Sequence, residues 1–130
     1  MDSYIMNNSV LTIFSDEFKE KYKKTGIEYL KKYENLNKHE TIKQLLSFYK
    51  TWDLYSLSII YLKFFKILFS DGFFDNKLII TFSQLLLYNI SPNTNNRNTI
   101  KETLTMYKDI FYINEKPENY FTLINNLKYL

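Results

Sequence analysis

The chain has 130 residues, 45% of them hydrophobic and 18% aromatic, which is the size of one domain able to bury a core unaided and excludes a disordered composition. Two Gly, two Pro and no Cys leave too few turn-formers for an all-β sandwich, exclude disulfides and cysteine zinc sites, and fit a reducing compartment. A net charge of +3, with Lys dispersed among Asp and Glu and no run of like charges, leaves no footprint for nucleic acid.

Residues 1–14 show only a short apolar patch, Val10 to Phe14, and are expected to form a loosely ordered lead segment ahead of a single helical domain over 15–130. A helix is expected from Ser15, capped by Ser15 or Asp16, with Phe18, Tyr22, Leu30 and Tyr33 as a broken apolar stripe. Gly26 is expected to interrupt or bend it. Asn37-Lys38-His39-Glu40 has the Asn-x-x-Glu form of a capping box, and Ile42, Leu45, Leu46 and Tyr49 then fall on one helical face.

Asp53 is the expected cap of the next helix, about 53–69. Its apolar residues surround the axis, which predicts a central helix packed on several sides, with Tyr55, Tyr61 and Lys63 as candidates for its surface. The run Leu57 to Phe69 is broken by Lys63 and Lys66 and is too short to span a bilayer. Ser70-Asp71-Gly72 ends this helix, with Gly72 as the left-handed residue. A helix over about 76–89 follows, carrying Leu78, Ile79, Phe82, Leu85 and Leu86. Residues 89–98 form a polar loop containing Pro92, and Thr99-Ile100-Lys101-Glu102 is a second capping box opening a helix to about Phe111. Lys116-Pro117-Glu118 is expected to start a last short helix. The fold class is therefore all-α, a compact bundle of five or six helices around the helix at 53–69.

Two stretches carry a family resemblance. Asp53-Leu54-Tyr55-Ser56-Leu57-Ser58 resembles the Asp-x-Trp/Tyr-Ser-Leu-Gly start of the large central helix in the C-terminal lobe of eukaryotic-type protein kinases. LLLYNISPNTNNRNTIKETL, residues 85–104, resembles the closing motif of that lobe, in which an Arg follows a Pro-containing loop and precedes a Thr that caps the next helix. The resemblance spans roughly residues 39–112, and the compact, Asn-rich character is most similar to serine/threonine kinases of large DNA viruses. It implies that Arg97, the only arginine, is buried and paired bidentately with an acid upstream of the central helix, either Glu40 or Glu34. Lys38-His39 stands where the family has Ala-Pro before that acid, and Ser58 stands where it has Gly. Asp53 would hold the backbone that the family uses as its catalytic loop.

The parts that transfer phosphate are missing from the sequence. A kinase needs a Gly-rich loop, a lysine–glutamate pair, a His-Arg-Asp loop with its Asn, and an Asp-Phe-Gly metal site. Gly26 and Gly72 stand far apart, and the one histidine, His39, is followed by Glu. Asp71-Gly72-Phe73 resembles the metal motif but follows the central helix, in the wrong order. His39 reads as an exposed capping-box residue, and no His/Asp/Glu cluster has metal-ligand spacing. The sequence therefore points to no enzyme, no cofactor and no metal. It points to a kinase-derived binding or structural module whose exposed apolar surface meets a protein partner or a second copy, with a virion or an infected cell's cytoplasm as its setting. The alternative is a fragment of an active viral kinase whose catalytic half is encoded upstream.

Overall fold

The computed structural model describes residues 1–72 and 75–113. Six α-helices run through them: α1 (Asp2–Asn7), α2 (Asp16–Lys31), α3 (Lys38–Leu46), α4 (Trp52–Ser70), α5 (Lys77–Asn89) and α6 (Ile100–Lys108). Short 3₁₀ turns join them at Leu11–Ile13, Tyr49–Thr51 and Thr94–Asn96, and a π turn, Asp109–Ile113, extends α6. No strand occurs among the described residues, so the all-α class holds. The helix expected after Pro117 lies outside the described residues.

Side-chain caps set most of the helix starts. The Ser15 hydroxyl accepts from the Phe18 N–H at 3.2 Å, and the Asn76 side chain accepts from the Ile79 N–H at 3.1 Å. Both capping boxes close in both directions. Asn37 and Glu40 exchange bonds of 3.0 and 3.4 Å, and Thr99 and Glu102 exchange bonds of 3.2 and 2.7 Å. Each satisfies two opening N–H groups that the helix itself cannot. Gly72 ends α4 with φ +94°, a conformation in which a Cβ would be strained.

The core gathers Tyr22 from α2, Leu62, Phe65 and Leu68 from α4, and Ile79, Leu86 and Ile90 from α5 and its end. A smaller cluster joins Leu78 and Leu85 of α5 to Ile110. Rings knit the two: Phe82 lies edge-on to Phe65 at 5.5 Å and to Phe111 at 5.3 Å. A polar bridge crosses the bundle at Asn89. The Asn89 amide donates to the Ser58 hydroxyl at 3.1 Å, and the Thr103 hydroxyl donates to the Asn89 carbonyl oxygen at 3.0 Å, linking α5 to α4 and α6.

Three expectations are corrected. Residues 1–14 are not a loose lead: α1 forms, and Val10 and Leu11 are fully buried in the main cluster. The Asn8 side chain accepts from the Val10 N–H at 3.1 Å and turns the chain inward, so the apolar patch enters the core. Gly26 does not interrupt α2; it lies between Tyr22 and Tyr29 on the buried stripe, where a Cβ would displace the flexible end of the Met1 side chain and press on Pro92 at 3.3 Å. Finally, α4 is not enclosed. Ser58, Leu62, Phe65 and Leu68 face inward, while Leu57, Ile60, Phe64 and Ile67 remain 49% to 62% exposed. The described helices cover α4 on one side only.

Leu11→Ala is expected to cost about 2–5 kcal/mol, as for other fully buried leucines, whereas Leu57→Ala stays within about 1 kcal/mol. Urea unfolding followed by circular dichroism measures both. A Leu11 variant as stable as wild type would return residues 1–14 to a loose lead.

Candidate functional site

The only arginine sits between the Thr94–Asn96 turn and α6, and it is half-buried. Its Nε donates to the Ser91 carbonyl at 2.8 Å, just past the end of α5. The guanidinium carbon lies 4.6 Å from the centre of the Tyr55 ring. Next to it, the buried Tyr22 hydroxyl donates to the Ile90 carbonyl at 2.9 Å. Two successive carbonyls at the negative end of α5 are thus held by a tyrosine and a cation. The Tyr55 hydroxyl meets that of Tyr4 in α1, and the Tyr29 hydroxyl meets that of Thr94. Arginine and tyrosines together clasp α1, α2, α4 and the α5–α6 connection.

The electrostatics follow from this burial. Desolvation lowers the Arg97 pKa from its ordinary value, against the opposing pull of Tyr55 and Tyr22. The guanidinium remains charged at any physiological pH. Burial pushes the Tyr22 and Tyr55 hydroxyls well above the usual tyrosine range. These groups are therefore neutral donors and acceptors, held for structure rather than poised for proton transfer.

The expected ion pair is not formed. Glu40 is exposed, and its carboxylate is engaged with the Asn37 N–H in the capping box. Glu34 is exposed as well, and among the described residues no carboxylate pairs with Arg97. Asp53 is not the cap of α4. The helix begins one residue earlier, running on from the turn Tyr49–Thr51, and Asp53 is an exposed acid in its first turn. There it favours the positive helix end and holds no loop. The structure brings Arg97 and the start of α4 together through Tyr55, and leaves Glu40 and Asp53 apart from it. His39 is exposed. No group of His, Asp and Glu among the described residues could hold a metal ion.

An open groove of about 630 Å³ lies between α2 and α5, lined by Phe18, Lys21, Thr25, Gln84, Tyr88 and Asn96 among others. It holds one cation and no carboxylate, so it offers no acid–base pair.

The surface is the more unusual feature. Ile42, Leu45 and Leu46 of α3, with Tyr49 and Trp52 beyond it, all face solvent, and α3 has no buried residue. On α6, Ile100, Leu104 and Tyr107 do the same. Rings connect this side of α6 to α4: Phe82 contacts Tyr61 at 5.8 Å and Tyr107 at 6.0 Å. No described helix is long and apolar enough to cross a membrane. No family model, curated protein or solved structure matches the chain.

Sequence reasoning overlooked the tyrosine clasp and the outward strip of α4. The strip has a signal, since Leu57, Ile60, Phe64 and Ile67 follow the three-four-three spacing of a helix seam. A lone arginine amid twelve tyrosines offered only the weaker hint that its partners are rings and carbonyls.

Arg97→Ala is expected to cost about 1–3 kcal/mol, for one charged hydrogen bond and one ring contact, short of the loss of a buried ion pair. A double-mutant cycle with Glu40→Gln is expected to give no coupling, and a coupling above about 1 kcal/mol would reinstate the pair. Tyr22 bears on the alkaline limb of stability. Its folded pKa lies above the unfolded value near 10, so above that pH the unfolded chain releases a proton the native state keeps. Stability falls as pH rises past about 10, by up to about 1.4 kcal/mol per pH unit from this group, and Tyr22→Phe flattens that fall in urea titrations between pH 9 and 11.

Proposed function

We propose that this chain is a non-catalytic helical module that works by binding protein through its outward apolar faces. The observation that carries this is the surface of α3, α4 and α6. Three helices each leave a run of large apolar residues in water, where single scattered exposures would be ordinary. Patches of that kind mark contact surfaces in soluble proteins. The site chemistry agrees with it, since the half-buried Arg97 and the tyrosines around it are held by one another and by carbonyls.

A kinase-lobe origin is supported by the two sequence stretches, Asp53 to Ser58 and residues 85–104, and by the capping of α6 at Thr99 directly after the Arg97 loop. The ion pair that would have strengthened it is replaced by the Ser91 and Tyr55 contacts. A structural role in a virion is one setting for such a module. The same uncovered helices favour a second reading, in which the chain is part of a longer viral kinase that buries them. An Asp-Phe-Gly encoded in frame upstream of Met1 decides for that reading.

Two measurements test the binding module. No transfer of labelled phosphate from ATP with Mg²⁺ is expected, to itself or to a general acceptor protein. At sub-micromolar concentration the folded chain is expected to bind an anilinonaphthalene dye, and Phe64→Asp with Leu45→Asp is expected to reduce that signal severalfold with helicity unchanged. Phosphate transfer, or a folded chain that leaves the dye dark, sinks the proposal.

A further inference from the structure

We infer that α3 docks on an anionic lipid surface, lying in the plane of the headgroups with its apolar row turned into them. This goes beyond the protein-binding reading of the outward faces, which α4 and α6 carry without α3. A helix of nine residues is marginal in water by itself, and α3 has no buried residue to hold it. Ile42, Leu45, Leu46 and Tyr49 stand on one face of it and are 41% to 58% exposed. Trp52, just past the Tyr49–Thr51 turn, is 45% exposed as well. Such a helix gains its stability from whatever covers that row.

Charge selects the cover. Lys38 opens α3, and Lys43 stands beside Ile42 at the edge of the row. The Lys50 ammonium lies 5.9 Å from the centre of the Tyr49 ring, and the Lys32 ammonium lies 5.3 Å from that of Phe48. From Lys31 to Asp53 five lysines stand against three carboxylates, those of Glu34, Glu40 and Asp53. Glu40, the one acid on α3, is two residues from Ile42 and so points across the helix from the row, where it accepts from the Asn37 N–H. Among the described residues no carboxylate pairs with Lys38, Lys43 or Lys50. The face is therefore apolar with a cationic margin, and it complements an apolar layer edged with anions. A protein groove with an acidic rim shares that charge pattern, but the ring chemistry favours lipid. Tyr49 and Trp52 close the row with lysines beside them. Amphipathic rings of this kind settle at headgroup level, and lysine stems reach from the apolar zone to the phosphates.

Trp52 is the chain's only tryptophan, so its emission reports the docking directly. With about 1 µM chain, vesicles of phosphatidylcholine containing about 30% phosphatidylserine are expected to carry the protein in flotation and to shift Trp52 emission to shorter wavelength. Pure phosphatidylcholine vesicles are expected to bind about tenfold more weakly or less, and about 0.5 M salt is expected to remove the difference. Lys43→Glu with Lys50→Glu is expected to abolish the preference for phosphatidylserine. Leu45→Asp with Leu46→Asp is expected to abolish binding to both vesicles. All four positions are exposed, so circular dichroism should show the bundle intact. Phe64→Asp on α4 is expected to leave vesicle binding within about twofold of wild type, as a distant site should. A wild type that stays in solution with Trp52 emission unshifted overturns the inference; if it still binds the dye, the protein-binding reading stands and α3 falls to a protein groove. Equal binding to the two vesicles overturns it, because charge then selects nothing. Binding that survives the leucine pair, or that is lost with Phe64→Asp, overturns it by placing the contact on another face.

Discussion

The rotation of α4 about its own axis decides both what this molecule buries and what it shows, and a buried amide, with the clasp at Tyr55, holds that rotation. Asn89 spends its donor on Ser58 of α4 and its acceptor on Thr103 of α6. Ser58 and Asn89 are almost wholly shut off from water, so turning α4 away would strand polar atoms at a cost of about 1–3 kcal/mol each. An all-apolar contact would tolerate such a turn more readily, because hydrophobic burial has no direction. With Ser58 pinned inward, Leu62, Phe65 and Leu68 follow it into the core, and Leu57, Ile60, Phe64 and Ile67 have nowhere to point but outward. Ser58 is thus an anchor of the bundle.

The second fixed point is the end of α5. A helix that stops inside a domain leaves carbonyls with partial negative charge, and these need donors. Tyr22 takes the Ile90 carbonyl and Arg97 the Ser91 carbonyl, so the arginine is balanced by a helix end and by the face of the Tyr55 ring instead of by a carboxylate. Carbonyls and rings are neutral. They can be buried without the several kcal/mol of desolvation that a paired carboxylate would add. This explains how a half-buried guanidinium persists without an acid beside it among the described residues, and why tyrosine hydroxyls are drawn into its neighbourhood from α1, α2 and α4.

What could be read ahead of the structure was whatever is local. Capping boxes at Asn37 and Thr99, the stop at Gly72 and the buried stripe of α5 depend on residues within one or two turns of each other, and they stood where the spacing placed them. The burial of Val10 and Leu11 was illegible, because fourteen residues without a helical period give no sign of what lies above them. The mistaken partner of Arg97 has the same origin. Glu40 had the right chemistry, but its own helix start claimed it first at 3.4 Å, a local demand that outweighs a distant one. For α4, apolar character on all sides was legible and its meaning was not. Such a helix can be enclosed by neighbours of its own chain or by those of another, and only the arrangement of α2, α5 and α6 tells the two apart.

That distinction leads from fold to function. Among the described residues more large hydrophobic side chains are substantially exposed than are buried, and most of the exposed ones fall on α3, α4 and α6. Chance exposure would scatter them singly. On α4, rotation could hide the row only by breaking the Ser58–Asn89 bond. On α4 a polar contact that makes the fold specific therefore also keeps an apolar row in water. A partner that covered such a row would add to the stability of the fold by mass action.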